Sequence, residues 1–237
     1  MTNRRLFLAA LCASGARAFQ AKKEQPKKQP PKTEPLITRI LRLTGISATP
    51  RGLKGVGQPM AADVWIVSAD GRNKTQEKLT FDGGYRSPVF TPDDQKVLAI
   101  RGQNLVWVSL NDHSTTGAAS APPDLLRLVG FELGAANNPR VVVVTQRSVG
   151  LFSPWDGTFD ILDSDTGDED YIRGALAGGW LNFQGTLVSV NSTGHNLTIR
   201  KQSQEPISLT EGSKATYADP ALSHDGAAIV FLRVENL

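Results

Sequence analysis

The chain contains almost no cysteine. One of its 237 residues is Cys, at position 12, and three are His. Cleavage of the first eighteen residues as a signal peptide would leave no cysteine, which would exclude disulfides, thiol catalysis and cysteine metal sites. Outside that leader, no apolar run reaches the eighteen residues of a membrane span, and neither GxxxxGK[ST] nor GxGxxG occurs. No window of a dozen residues sustains a helical stripe, so helical bundles and parallel α/β folds are not expected.

The folded part of the chain has no excess of positive charge. The formal net charge of +3 comes from 26 Lys and Arg against 23 Asp and Glu. Arg4, Arg5 and Arg17 supply all of it, and 23 positive charges face 23 negative ones without them. A basic tract remains within residues 19–36, which leaves the rest mildly acidic. This distribution argues against nucleic acid as a partner.

The first eighteen residues are typical of an export signal. Arg4 and Arg5 precede an apolar stretch over residues 6–14, and Ala16-Arg17-Ala18 provides small residues for signal peptidase. The paired arginines also match the bacterial twin-arginine signal, so both general secretion and the twin-arginine route are open. We expect cleavage after Ala18 and a periplasmic or secreted product.

Residues 19–36 have four prolines, five lysines and no apolar periodicity. This composition predicts a disordered linker. A cationic linker could touch anionic cell-wall polymer or lipid headgroups, but a spacer role requires no partner. The chain therefore divides into a signal peptide (1–18), a linker (19–36) and one folded domain (37–237).

Beyond residue 37, short β-branched and aromatic runs alternate with Gly, Asp, Asn and Pro, a pattern typical of all-β proteins. The predicted strands are 37–43, 64–68, 89–91, 97–101, 105–110, 126–131, 141–146, 150–153, 159–162, 187–191, 197–201, 207–210 and 229–234.

An internal repeat organises these strands. Residues 85–101 align without a gap on residues 217–233, with Tyr, Pro, Asp and Arg matched at four positions. The offset of 132 residues is three times 44, which is the length of one four-stranded propeller blade. Weaker copies fall near residues 141–144 and 183–190. The repeat predicts a β-propeller of four-stranded antiparallel blades, four to six in number, with an incomplete ring as the alternative.

The two ends of the domain supply complementary halves of one blade. The C-terminal copy ends after two strands, and residues 63–80 supply a third and a fourth. We therefore expect the ring to close by pairing of N- and C-terminal strands, which also covers open sheet edges.

The best repeats resemble a known family. Residues 87–94 (SPVFTPDD) and 219–226 (DPALSHDG) are similar to the S-P-D-G core of the WD40-like repeat of TolB-type β-propellers, with Asp94 and His224 standing where that motif has Gly and Pro. Residues 63–71 and 78–80 resemble the third and fourth strands of the same unit. The resemblance covers about residues 61–237 and implies a propeller made of structural motif residues, without assigning an activity.

The four tryptophans of the chain are candidate ligand contacts. Trp65 and Trp107 lie inside apolar strands, which indicates packing between blades. Trp155 and Trp180 lie in loops rich in Pro or Gly, and they are the predicted ligand-binding residues, as an aromatic platform for a glycan or a peptide.

The remaining chemical motifs are weak. Residues 160–170 are acidic but miss the EF-hand pattern by one position, so a solvated hairpin that binds no calcium is expected. His113, His195 and His224 form no HExxH motif and are interpreted as solvated turn residues. No GxSxG elbow is present. We therefore predict no catalytic residue, no metal site and no cofactor.

Three classes of function remain. The first is an exported, non-catalytic propeller that binds a protein or another ligand of the cell envelope, because every recognisable motif is structural. The second is a hydrolase or lactonase with a metal in the central channel. The third is an accessory fragment of a larger or multi-chain propeller.

Overall fold

A computed structural model describes residues 36–48, 62–134, 137–163, 180–182, 185–191, 194–201, 204–210 and 214–235. The predicted signal peptide (1–18) and all but the last residue of the predicted linker (19–36) lie outside the described residues. No helix in the described ranges is long and apolar enough to cross a membrane.

The fold is all-β and forms a four-blade propeller, as the repeat predicted. It has one helix and seventeen strands within the described residues. In chain order they are α1 (Leu36–Thr44), β1 (Ile46–Ala48), β2 (Asp63–Ser68), β3 (Gln76–Lys78), β4 (Tyr85–Phe90), β5 (Lys96–Arg101), β6 (Asn104–Ser109), β7 (Thr115–Ser120), β8 (Leu125–Phe131), β9 (Val141–Thr145), β10 (Val149–Phe152), β11 (Phe159–Asp163), β12 (Trp180–Asn182), β13 (Leu187–Val190), β14 (Leu197–Arg200), β15 (Ile207–Ser208), β16 (Ala215–Leu222) and β17 (Ala228–Glu235).

The strands form four antiparallel sheets, which we number as blades around the ring. Blade 1 has the order β16-β17-β2-β3, blade 2 the order β4-β5-β6-β7, and blade 3 the order β8-β9-β10-β11. Blade 4 contains β12-β13-β14-β15 and gains β1 as a fifth strand beside β12. The weak copies predicted near residues 141–144 and 183–190 correspond to blades 3 and 4.

Blade 1 joins the two ends of the domain, which confirms the predicted closure. C-terminal β17 pairs antiparallel with β2, with Phe231 opposite Trp65 and Arg233 opposite Asp63. The alternating side chains of β17 face both neighbouring blades, so that Val230 and Leu232 pack toward blade 2 while Ile229 and Phe231 pack toward blade 4. The closing strand is therefore part of two interblade cores.

Helix α1 contradicts the prediction of a strand at residues 37–43. Leu36, Ile40 and Leu43 recur at helical spacing and pack against blade 3, while Arg39 and Arg42 lie between them. Gly45, with φ 68°, ends the helix, and its N–H donates to the carbonyl of Leu41 at 2.7 Å. The helix spans nine residues only, too few for its stripe to stand out in a window of twelve residues.

Helix α1 and strand β1 connect blade 3 with blade 4. The buried side chain of Ile40 joins the apolar face of blade 3 formed by residues such as Val142 and Val144, and β1 pairs with β12 of blade 4. In the described part of the chain, this cluster contains no side chain from blade 4. The N-terminal segment thus covers a blade face that a neighbouring blade covers elsewhere in the ring.

Candidate functional site

The strongest copies of the repeat place two bulged residues at the propeller axis. Ser87 in β4 and Asp219 in β16 occupy equivalent positions, each followed by proline, and the strand register shifts at both places. Both have positive φ, 49° for Ser87 and 46° for Asp219. A residue before proline is biased toward extended conformations, so this backbone needs stabilising contacts.

Side-chain hydrogen bonds across the axis supply those contacts. The N–H of Ser87 donates to Oδ2 of Asp219 at 3.1 Å. Oγ of Ser87 donates to the carbonyl of Leu128 at 3.1 Å and accepts from the N–H of Leu128 at 3.0 Å. Arg127, the residue before Leu128 in β8, pairs with Asp219 at 3.4 Å. We call Ser87, Asp219, Arg127 and Leu128 the axial network; it links the inner strands of blades 1, 2 and 3.

A narrow cleft opens above this network. Its cavity volume is about 50 Å³, room for a few water molecules or one small side chain. Apolar residues of β4, β8 and β16 form most of the wall, and Thr44 and Gly45 at the end of α1 complete it. The apolar lining includes Val89, Phe90, Leu128, Val129, Ala221 and Leu222. Such a wall with a few fixed polar groups suits one small apolar group of a larger ligand.

His224 lines the cleft and is held by a neighbouring blade. Oδ1 of Asp94 accepts from the backbone N–H of His224 at 2.9 Å and from its Nδ1 at 3.0 Å, and Oδ2 accepts from the N–H of Asp225 at 2.9 Å. Asp94 has φ 53°, a conformation in which the family motif has glycine. The turn of blade 2 therefore holds the corresponding turn of blade 1.

The aspartates of the repeat motif close their own turns. Thr91 Oγ1 donates to Asp93 and Ser223 Oγ donates to Asp225, both at 2.6 Å. These hydroxyl hydrogen bonds lower the pKa of both carboxyls. For Asp225, a hydrogen bond from the N–H of Ala227 lowers the pKa further. These two carboxylates of the repeat motif thereby have a structural role in the turn.

The predicted ligand-binding tryptophans belong to different blades. Trp155 lies in the turn between β10 and β11 of blade 3 with its indole partly exposed. Trp180 begins β12 of blade 4, and its side chain lies outside the described residues. Of the tryptophans expected to pack between blades, Trp107 is buried in the core between blades 2 and 3, and half-buried Trp65 packs toward blade 4.

The other histidines also lie in or beside turns. Nε2 of His113 lies 3.1 Å from Oε1 of Glu77, which joins blade 2 to blade 1. Nδ1 of His195 lies 3.1 Å from the carbonyl of Ala215. All three histidines thus contact a neighbouring element, which the expectation of solvated turn residues did not include.

The acidic segment 160–170 is described only at its start. Asp160 lies in β11 and pairs with Arg140 at 2.8 Å, whereas residues 164–170 lie outside the described residues. Among the residues that the structure describes, no three His, Asp or Glu side chains form a group suited to a metal ion.

The sequence did not identify the axial network or the pair of Asp94 and His224. The available signal was the gapless repeat itself, since Ser87 and Asp219 are separated by the repeat offset of 132 residues. Asp94 and His224 also stand at the departures from the family motif. The sequence predicts turn residues at both positions, because only the ring places them beside each other.

The chain has low similarity to known proteins. No protein-family model and no curated protein matches the chain. Among solved structures, a protein assigned as TolB from Agrobacterium tumefaciens has a TM-score of 0.31 and 13% identity, covering 70% of this chain and 60% of its own length. A streptogramin B lyase has a TM-score of 0.29 and 12% identity, covering 70% of this chain and 51% of its own length. Both TM-scores are below 0.5, and the propeller fold is established by the strand order of this chain's own four sheets.

Proposed function

We propose that the protein is an exported, non-catalytic propeller that binds a protein or another cell-envelope ligand in its axial cleft. The observation that supports this function most is the construction of the cleft. Residues of three blades meet there, and hydrogen bonds between blades fix the polar ones before any ligand arrives. A preorganised site binds at a lower entropic cost.

The hydroxyls of the cleft support a binding role over a catalytic one. Oγ of Ser87 both donates to and accepts from the backbone of Leu128, and Oγ of Ser223 donates to Asp225. A nucleophilic serine requires instead a neighbouring general base that takes its proton. These two serines are engaged in holding strands and turns together.

One observation favours the alternative of a hydrolase. Donation from Nδ1 of His224 to Asp94 leaves Nε2 of the neutral ring as an acceptor, and His224 lines the cleft. A histidine oriented in this way by a carboxylate can act as a general base. Hydrolysis of p-nitrophenyl butyrate by the purified protein, abolished by His224→Ala, would support this alternative.

Export is the second half of the proposal. It is supported by Arg4 and Arg5, the apolar stretch after them and the Ala16-Arg17-Ala18 sequence. N-terminal sequencing of protein from the periplasmic fraction is expected to begin at Phe19. An intact Met1 on cytoplasmic protein would contradict export, and unimpaired export of an Arg4→Lys/Arg5→Lys variant would exclude the twin-arginine route.

Photo-crosslinking tests binding in the cleft. A benzoylphenylalanine at Leu222, on the cleft wall, is expected to crosslink one discrete partner or small ligand in intact cells. The same group at Phe81, which is 71% exposed outside the cleft, serves as the control. Ala221→Trp, which fills the cleft, should abolish the crosslink. Equal crosslinking from both positions, or none from Leu222, would contradict an axial binding site.

A further inference from the structure

A stack of three aromatic rings leads from the core of the propeller to its surface. Phe131 is fully buried, Trp107 is 6% exposed and Trp155 is 45% exposed. The ring centroids of Trp107 and Phe131 lie 6.2 Å apart, and those of Trp107 and Trp155 lie 4.8 Å apart, with interplanar angles of 20° and 27°. Trp155 is the outermost ring of this stack.

The turn that carries Trp155 is fixed from several directions. Within the turn, the N–H of Ser153 donates to Thr158, and the N–H of Gly157, with φ 78°, donates back to Ser153, both at 2.9 Å. From blade 2, the N–H of Ala119 in β7 donates to the carbonyl of Pro154 at 2.9 Å. The indole itself donates from Nε1 to the carbonyl of Pro139 at 3.4 Å. The exposed ring is therefore held in place before a ligand binds.

Arg140 directly follows Pro139 in sequence and belongs to a cluster of charged side chains. Arg140 donates to both carboxylate oxygens of Glu132, at 3.2 and 3.3 Å, and to Asp160 at 2.8 Å. Asp160 is exposed, and the Arg140 side chain is partly accessible. The end of blade 3 thus combines a rigid aromatic face with ordered donors and acceptors.

From this combination we propose that Trp155 is a saccharide-stacking site. A pyranose has C–H groups on its faces and hydroxyls around its edge. The C–H groups carry slight positive charge and are attracted to the negative face of an aromatic ring. The hydroxyls donate and accept hydrogen bonds, which suits Arg140 and Asp160. The immobilised ring costs little conformational entropy on binding.

The arrangement favours a sugar over a proline-rich peptide. Polyproline segments dock in grooves lined by aromatic rings, whereas one face of Trp155 is already covered by Trp107. The remaining platform is a single ring beside charged groups. The proposal rests on Trp155 alone and is independent of the axial cleft.

Titration of the indole N–H signals tests the site in the full-length mature protein. The chain has four tryptophans, and loss of one signal in Trp155→Phe assigns Trp155. Chitotriose, cellotriose and maltotriose are titrated in turn, together with a peptide of residues 19–36 as the proline-rich comparison. At least one trisaccharide is expected to shift the Trp155 signal saturably and leave the other three nearly unchanged.

Calorimetry with matched variants completes the test. Trp155→Ala should weaken binding of that trisaccharide at least about tenfold, Trp155→Phe should weaken it less, and Phe81→Ala, at another exposed aromatic ring, should leave it unchanged. Near-ultraviolet circular dichroism checks that each variant is folded. If Trp155→Ala is unfolded, the titration of the wild-type protein still decides the question. Binding of the peptide without any saccharide, or no saturable shift of Trp155 with any of the three sugars, would overturn the proposal.

Discussion

The backbone N–H of Ser87 donates to the carboxylate of Asp219 across a sequence separation of 132 residues. The two residues occupy the same position in two copies of the repeat, and both have positive φ. The strained backbone of Ser87 is thus stabilised by a contact that exists only when blades 1 and 2 are neighbours. The same contact fixes the floor of the axial cleft.

Loss of the Asp219 carboxylate should destabilise the propeller. Asp219→Ala leaves the buried N–H of Ser87 without its acceptor and removes the ion pair with Arg127. We expect a loss of about 1 to 3 kcal/mol in the free energy of unfolding, measured by urea denaturation. Glu205→Ala, at an exposed carboxylate, is the control and should change little. A similar loss in both variants would show that the axial network does not hold the blades.

Restoring the motif glycine at position 94 should also destabilise the fold. Asp94→Gly relieves a positive φ, a gain of about 1 kcal/mol. It also removes three hydrogen bonds to His224 and Asp225, each expected to contribute about 1 kcal/mol or more. The melting temperature of the variant should therefore fall. A higher melting temperature would mean that the hydrogen bonds between Asp94 and the turn of His224 contribute little to stability.

The two adjacent residues of α1 should respond differently to truncation. Ile40 is 3% exposed against blade 3, whereas Leu41 is 37% exposed. Ile40→Ala should cost about 2 to 4 kcal/mol through lost burial and a cavity, and Leu41→Ala about 1 kcal/mol at most. Urea denaturation of the pair measures the difference. Equal effects would contradict the role of α1 as the cover of blade 3.

Much of the fold could be predicted because strands and turns are local. The β-branched runs of β5, β6 and β9 indicate strands from a few residues, and the repeat of 132 residues reports the blade length. The hydrogen bonds between Asp94 and His224 could not be predicted, because they link turns 130 residues apart. Helix α1 was missed for a related reason. Its stripe of nine residues gains its stability from packing on blade 3, which local periodicity does not reveal.

Asp63 should make the stability of blade 1 sensitive to acid. Burial disfavours ionisation of this carboxyl, but hydrogen bonds from Lys78, the N–H of Gly83 and Thr80 outweigh it and lower its pKa. Its contribution to stability is therefore full above the unfolded pKa of about 3.9 and is lost as the pH falls through the lower folded pKa.

Asp63→Asn tests this dependence, because the amide cannot ionise. The variant should be less stable than the wild type at neutral pH, and the difference should shrink below about pH 4. Urea denaturation at a series of pH values measures it. A difference that stays constant with pH would show that ionised Asp63 does not stabilise the closing blade.

A disulfide across the closing strands tests most directly whether one chain completes the ring. Ala228 in β17 lies opposite Ser68 in β2, at an end of the pairing. With Cys12→Ser, the Ser68→Cys/Ala228→Cys variant should form an intramolecular disulfide upon mild oxidation. Mass spectrometry should detect a monomer lighter by two hydrogens, and a non-reducing gel should show a faster band. Disulfide-linked dimers, or two cysteines that stay unpaired, would contradict closure within one chain and would favour an accessory fragment whose edge another chain covers.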